Sequence, residues 1–410
     1  MIPASTVCVR CGEAIPPDEA DCPYCAGRKS YPFLHREPVL IAAIIGIAVG
    51  LWLIAHGLTT AYSHRQDVLA RSWYESGDTA LRAGNYSAAI ADLQTAVVYS
   101  HESPEVRLRL AEALAAAGTP NRTRQAQSYL RALWEEQPGD ATVNLQLARL
   151  AARTGDVAEA ERYYNGAIYG VWASDPMRNR RETRLELVRF LLARDRFQQA
   201  QSQLIAVAAE EPQDPELLLE LGRMFLQAGD AGHALQEFRL AAKAQPRNPT
   251  AFAGAGQAAF QQSDFSNARR YFQRAVALDP ADTHSADLLH ISDLVLQLDP
   301  YAPRLTRDER DRRVVADIAR TLERLQECAT AKNIYLTAQP PVGPMAIDFQ
   351  QLTALKAKTT VRALATDPDQ IDPAMELVFR SQSDAAKVCG QPVNEDFAIL
   401  LIGRANGAAQ

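Results

Sequence analysis

Four of the six cysteines stand together near the start of the chain, at Cys8, Cys11, Cys22 and Cys25. They form two C-x-x-C pairs, Cys8-Val-Arg-Cys11 and Cys22-Pro-Tyr-Cys25, with ten residues between the pairs. A C-x-x-C turn lets two thiolates grip one ion. Gly12, behind the first pair, can take the positive φ that turns backbone amides toward sulfur. Two such turns supply four soft ligands, a donor set suited to tetrahedral zinc. Iron held by four thiolates would use the same residues, as would paired disulfides in an oxidising compartment. Inside the segment Glu13, Asp18, Glu19 and Asp21 face a single Arg10. Four thiolates on a divalent cation add about two more negative charges. Phosphate binding needs the opposite sign, so no nucleic acid is expected here. The whole chain of 410 residues carries a net charge of −6 and points the same way.

Residues 8–25 resemble a short zinc ribbon. The resemblance implies a structural Zn²⁺ within a segment of residues 1–30. Such a segment is too short to build an apolar core, so the metal would supply its folding energy.

Close behind comes Val39–Leu58, which contains no Asp, Glu, Lys or Arg. At about 1.5 Å rise per residue it spans about 30 Å, the thickness of a bilayer's hydrocarbon. A single transmembrane helix over 39–61 is therefore expected, with Tyr31, Trp52 and Tyr62 near the interfaces. A cleaved leader would have a shorter apolar core placed nearer the N-terminus. Thiolates that hold a metal favour a reducing compartment. Arg28, Lys29 and Arg36 precede the helix while Arg65 and Arg71 follow it, which leans the same way. The expected arrangement is a bacterial inner-membrane protein with a cytoplasmic N-terminus and an exported remainder. Cys328 and Cys389 would then lie in an oxidising space and could pair. A loop of roughly 60 residues closed in this way is worth about 4 kcal/mol on the chain-entropy estimate. Two unrelated buried thiols are the alternative. Ala42, Gly46 and Gly50 lie four apart on one face of the membrane helix, a spacing that lets a second copy approach. They are a candidate homodimer face.

From Ala70 to Asp282 the chain repeats. The motif G-x-Y/F-x-x-A occurs as Gly84-Asn-Tyr86-x-x-Ala89 and, in looser form, at Gly155–Ala160, Asp195–Ala200, Gly229–Ala234 and Ser263–Ala268. Ala200, Ala234 and Ala268 are 34 apart, followed each time by Val207, Ala241 or Ala275 and then by Pro212, Pro246 or Pro280. Trp73 and Gly77 complete the first unit; Leu218, Gly222 and Phe225 complete the fifth; Phe252, Gly256 and Ala259 complete the sixth. The pattern resembles the tetratricopeptide repeat (TPR), two antiparallel helices per 34 residues. Small residues would sit where the helices cross closely, with large ones beside them. Proline would end the second helix of each unit. About six repeats are expected over 70–282. The second departs from the pattern, with Thr-Pro-Asn-Arg-Thr between Gly118 and Ala126. The third runs on through Tyr169-Gly-Val-Trp172 to Asp175-Pro176.

A polar-faced capping helix is expected over 283–299. Beyond the linker at 299–303, helical patterns return at Val314–Ala331, Phe349–Ala365, Pro373–Val388 and Asn394–Arg404. A helical C-terminal region thus occupies 307–410, either as a small domain or as degenerate repeats. The fold class is all-α: a zinc ribbon, one transmembrane helix, a TPR solenoid and a helical tail.

In the repeat family the first helix of each pair lines a groove that binds protein or peptide partners. Positions looking into it here carry Arg149, Arg189 and Arg223, with Arg82 and Arg153 one turn on. The asparagines of the family's peptide-carboxylate clamp are missing. A row of arginines can still grip an acidic segment. Equally, Glu186 and Glu220 lie three residues before Arg189 and Arg223 and could pair with them locally. Sequence signatures of an enzyme are absent: no H-E-x-x-H, P-loop, G-x-G-x-x-G or G-x-S-x-G. The expected function is that of a membrane-anchored scaffold for protein–protein interaction in the bacterial envelope, not an enzyme. A metal- or redox-responsive sensor using the four cysteines is the alternative.

Overall fold

The computed structural model describes residues 6–26, 37–100, 103–210 and 213–407, with 37–39 as backbone alone. Arg28, Lys29, Tyr31, Arg36 and Pro212 lie outside these ranges. Among the described residues the chain is almost wholly helical, and it divides into two compact units between Gln137 and Pro138.

The first unit opens with an antiparallel hairpin of β1 (Thr6–Val7) and β2 (Ala14–Ile15), followed by α1 (Pro23–Ala26). Then comes α2 (Glu37–Arg82), an unbroken helix of 46 residues. The sequence reading ends one helix at 61 and begins the first repeat at 70; the structure joins them. Residues 59–69 contain neither glycine nor proline, so nothing interrupts the hydrogen-bond ladder. At about 1.5 Å per residue the helix is about 69 Å long. Its first buried side chain, among those described, is Ala70, and further along Gly77 packs against Leu93 of α3 (Tyr86–Tyr99). The core of this unit gathers Ile90, Leu93, Leu110, Leu114 and Ala126 from α3, α4 (Pro104–Ala117) and α5 (Pro120–Glu136). The irregular second repeat has no inserted loop. Gly118 caps α4 in the left-handed region, Pro120 opens α5 at its first turn, and the extra residues lengthen α5 at its N-terminus.

The second unit holds four more helix pairs: α6 (Ala141–Thr154) with α7 (Val157–Tyr169), α8 (Pro176–Leu192) with α9 (Phe197–Ala208), α10 (Pro215–Gln227) with α11 (Ala231–Ala244), and α12 (Pro249–Gln261) with α13 (Phe265–Leu278). Asp140, Asp214, Asp230, Asn248 and Asp264 each accept a backbone N–H at a helix N-terminus. Where the motif lacks its glycine, Asp195 and Ser263 take the left-handed conformation themselves, at φ 56° and 58°. The run-on after α7 is tied back by two bonds: Val171 N–H donates to Gly139 O at 2.9 Å, and Ala141 N–H donates to Val171 O at 3.1 Å.

Phe238 shows how the pairs lock. It is 1% exposed and lies between Gly222 of α10 and Gly254 of α12. A methyl group at Gly222 would come within 2.8 Å of its ring, and one at Gly254 would also overlap it. One aromatic ring thus fills the space left by two glycines, one from its own repeat and one from the next.

After α13, α14 (Thr283–Leu298) covers the last pair. Its other side is covered in turn. Ile291 and Val295 join a core with Ile318, Phe379 and Ile399. That core belongs to α15 (Arg307–Lys332), α16 (Pro344–Lys358), α17 (Val361–Thr366), α18 (Ile371–Cys389) and α19 (Asn394–Ala405). Here α15 packs chiefly on α18, and α19 on α14. These chief pairings join helices that are not adjacent in sequence, so the tail departs from the repeat pattern, in which successive helices pair.

Gly254→Ala is expected to destabilise the repeats by about 1–3 kcal/mol through overpacking against Phe238. It should appear as a lower urea midpoint at unchanged slope. Gly232→Ala is the control. Its added methyl meets only an Asp230 carboxylate oxygen at 3.6 Å, and its midpoint should not fall.

Candidate functional site

The four N-terminal cysteines converge. In the first turn Cys8 N–H donates to Glu13 O and Gly12 N–H donates to Cys8 O, both at 2.8 Å, with Gly12 at φ +79°. In the second, Cys25 N–H and Ala26 N–H both donate to Cys22 O. All four sulfur atoms lie within 4.8 Å of one another. Cys11 and Cys22 are 3.5 Å apart, and Cys8 and Cys25 are 4.0 Å apart. A tetrahedron with metal–sulfur bonds of about 2.3 Å has edges of about 3.8 Å. The cluster is therefore of the right size and donor type to bind a metal ion. Its electrostatics point the same way. Backbone N–H groups of Arg10 and Cys11 pull the Cys8 thiol down to about 6. Hydrogen bonding to Cys11 and the other thiols pushes Cys25 up to about 12. Four sulfurs this close resist shedding all their protons without a cation among them.

The groove arginines fall into a staggered ladder. Arg149 of α6 donates to both carboxylate oxygens of Glu186 in α8, through Nε at 2.9 Å and Nη2 at 2.8 Å. Arg189 of α8 pairs with Glu220 of α10 at 2.6 Å. The local pairing expected from sequence is thus replaced: each glutamate serves the arginine of the preceding repeat. On this pattern Arg223 would reach α12 at position 254, which is glycine. Its Nε instead donates to Leu219 O of its own helix at 3.1 Å. Arg153 joins Arg149, Gln146, Tyr164 and Glu186 around a cavity of about 400 Å³ in the same groove wall. Arg82 is turned aside to Asp78 on α2.

Family models for the tetratricopeptide repeat match residues 74–120, 185–249 and 234–283, and a second such model matches 120–169. These helix pairs are tetratricopeptide repeats. No curated protein matches the chain. Solved structures similar to it include PilF of Pseudomonas aeruginosa, at 18% identity over 54% of this chain and 96% of that one, with a TM-score of 0.37. PilW, a type IV pilus biogenesis factor, is 19% identical over 54% and 98%, with a TM-score of 0.38. YrrB, a TPR protein with an unusual peptide-binding site, is 16% identical over 47% and 95%, with a TM-score of 0.36.

Within the TPR frame, the ladder holds successive first helices together across the groove. The Tyr164 hydroxyl donates to Glu186 at 2.9 Å. Burial pushes the Glu186 carboxyl up, but the bonds from Arg149 and Tyr164 more than offset this, so it sits below its ordinary range. Sequence reasoning found the arginines and missed their partners, because each partner lies on a different helix and only the stacking brings them together. The same holds in the tail. There Arg320 grips Asp396, and Gln382 donates to both Thr321 and Asp396 at 3.1 Å.

Two other sets of residues are placed without a groove role. The sulfurs of Cys328 in α15 and Cys389 in α18 stand at bonding distance, with Cα atoms 5.9 Å apart. In the single chain, α2 from Leu40 to Arg82 is the helix, among the described residues, long and apolar enough to cross a membrane. Ala42, Gly46 and Gly50 lie on it.

A carboxylate held below its ordinary range adds stability that is present at neutral pH and lost as pH falls through the depressed value. Replacing Glu186 by Gln should therefore lower the urea midpoint at about pH 7. The gap to the parent should narrow below about pH 4, where the parent's own carboxylate takes up its proton.

Proposed function

We propose that this chain is a single-pass, membrane-anchored TPR scaffold. Its four-cysteine module holds structural zinc in the cytoplasm, and its repeats bind partner proteins on the other side of the membrane. The observation that carries the reading is α2 itself. One unbroken helix runs from the uncharged stretch at Leu40–Leu58 into the first repeat, where Gly77 packs against Leu93. A helix whose apolar half is fully exposed in the single chain requires an apolar surrounding, and a bilayer fits its length. The anchor is then built into the first repeat rather than tethered to it.

Zinc is favoured over other metals by the all-thiolate donor set and by sulfur spacings that bracket the zinc tetrahedron. Cys8, Cys11, Cys22 and Cys25 would hold it, and the ion would supply the cohesion that a two-stranded hairpin and one helical turn lack. A cytoplasmic module and exported repeats give the Cys328–Cys389 bridge its rationale, since disulfides persist in oxidising compartments. The Ala42, Gly46 and Gly50 face suits a second copy of the same helix. In the groove, Arg223 is the rung of the ladder without a glutamate opposite it, and a carboxylate from an acidic partner segment would complete it. Repeats that stack into a groove, and chemistry that offers grip rather than bond-breaking, support a scaffold in an envelope assembly over an enzyme.

Topology is the first test. In spheroplasts, an impermeant thiol reagent should reach Cys328 and Cys389 only after reduction, and the N-terminal four only after lysis and chelation. If no cysteine is reached before lysis, the repeats are cytoplasmic and the export reading fails. A second test is the metal. The purified chain should carry about one Zn²⁺, and Cys11→Ser should lose it while the unfolding of the repeats stays unchanged. Zinc that is released by mild oxidation with a change in bound partners would favour a sensor instead.

A further inference from the structure

A second polar feature of the repeats lies away from the arginine ladder. Glu237 of α11 is 3% exposed, yet its Oε2 has no hydrogen-bond partner. A buried carboxylate left in this way is costly, because it has given up water and gained nothing in exchange. The fold does not demand an acid there. One repeat earlier and one later, the equivalent positions hold Gln203 and Tyr271. Neither neighbouring repeat carries a charge there.

Glu237 faces a cavity of about 480 Å³. Ala208 of α9, Leu218 of α10, and Gln236, Leu240 and Lys243 of α11 also line it. Two successive second helices thus form most of its wall, whereas the ladder arginines sit on first helices. Desolvation pushes the Glu237 carboxyl up, and the charge that pulls it back is that of His233, one turn earlier. Lys243 lines the cavity without neutralising the carboxylate. The walls combine the aliphatic side chains of Ala208, Leu218 and Leu240 with the polar Gln213 and Gln236, and the buried terminus among them is the Glu237 carboxyl.

We propose that this cavity is a binding site for a basic side chain of a partner protein, a lysine or arginine whose aliphatic stem lies along Leu218 and Leu240 and whose cation meets Glu237. Long basic side chains bury their stems against apolar walls and deliver charge at the tip, which is what this shape accepts. The incoming cation gives the Glu237 carboxylate the partner that the free chain lacks. The site is independent of the acidic segment proposed for the groove. A partner engaging both would present an acidic stretch to the first helices and a basic residue to the second.

The test uses the full chain in detergent with two probes, Nα-acetyl-lysine methylamide and its neutral analogue Nα-acetyl-norleucine methylamide, at matched ionic strength. At ~10 mM the cationic probe should raise the midpoint of thermal unfolding by about 1–2 °C, and the neutral probe should not. Calorimetric titration of the wild-type chain with both probes gives the same comparison without any variant. Glu237→Gln should fold with a midpoint at or above that of the parent and lose the response. Lys243→Met should keep or enlarge it, since a cation gains nothing from that ammonium. The proposal is overturned by no response in the wild type, by equal response to the neutral probe, by a response that survives in Glu237→Gln, or by one that vanishes in Lys243→Met.

Discussion

A two-helix repeat buries only one of its sides, and the rest of this structure answers to that constraint. Phe238 packs between a glycine of its own repeat and a glycine of the next, so the contact that closes one pair also begins the following one. The sequence of pairs must end somewhere, and the last apolar face cannot be left to water. Here α14 covers α13, and a separate helical bundle covers α14, drawing Ile291 and Val295 into its own core. The tail is thereby part of the stability of the repeats. Stacking also sets the electrostatics. A glutamate that would serve its own helix in isolation is brought within reach of the arginine one repeat earlier, as Glu186 is to Arg149 and Glu220 to Arg189.

How much of this could be read beforehand follows from the range of each interaction. The cysteine cluster is local: four ligands and Gly12 fall within a short stretch, and a turn places them, so spacing alone was informative. The repeats were legible because 34-residue periodicity reports the same packing several times over, even where Asp195 and Ser263 replace the motif's glycine. The partners of the arginines were not legible, since spacing along a helix suggested Glu186 with Arg189 while the stacked helix supplied Arg149 instead. The tail was read as helices and no further. Its pairings, such as α15 with α18, join segments that carry no common period. The continuity of α2 was visible in principle, because residues 59–69 contain no helix breaker. A change from apolar to polar composition reads as a boundary, yet the helix runs straight through it.

The groove and the Glu237 cavity differ in how their charges are kept. Along the ladder, opposite charges meet across repeats, and the half-exposed pairs contribute modestly to stability while fixing register. Glu237 has no such partner for its Oε2 and stands in a wall of mixed aliphatic and polar side chains. The first arrangement is settled within the molecule. The second leaves a demand that only something from outside can meet.

An unbroken helix also transmits angle. Each residue of α2 turns the helix by about 100° and advances it by about 1.5 Å. The residues between the apolar stretch and Ala70 therefore act as a phase setting. They fix the azimuth at which the first repeat leaves the helix axis relative to the face carrying Ala42, Gly46 and Gly50. One residue more or fewer in 59–69 would leave every contact within the first repeat intact and still swing it by more than a quarter turn. Whatever grips the apolar half of α2 thereby decides the direction in which the first repeat leaves it.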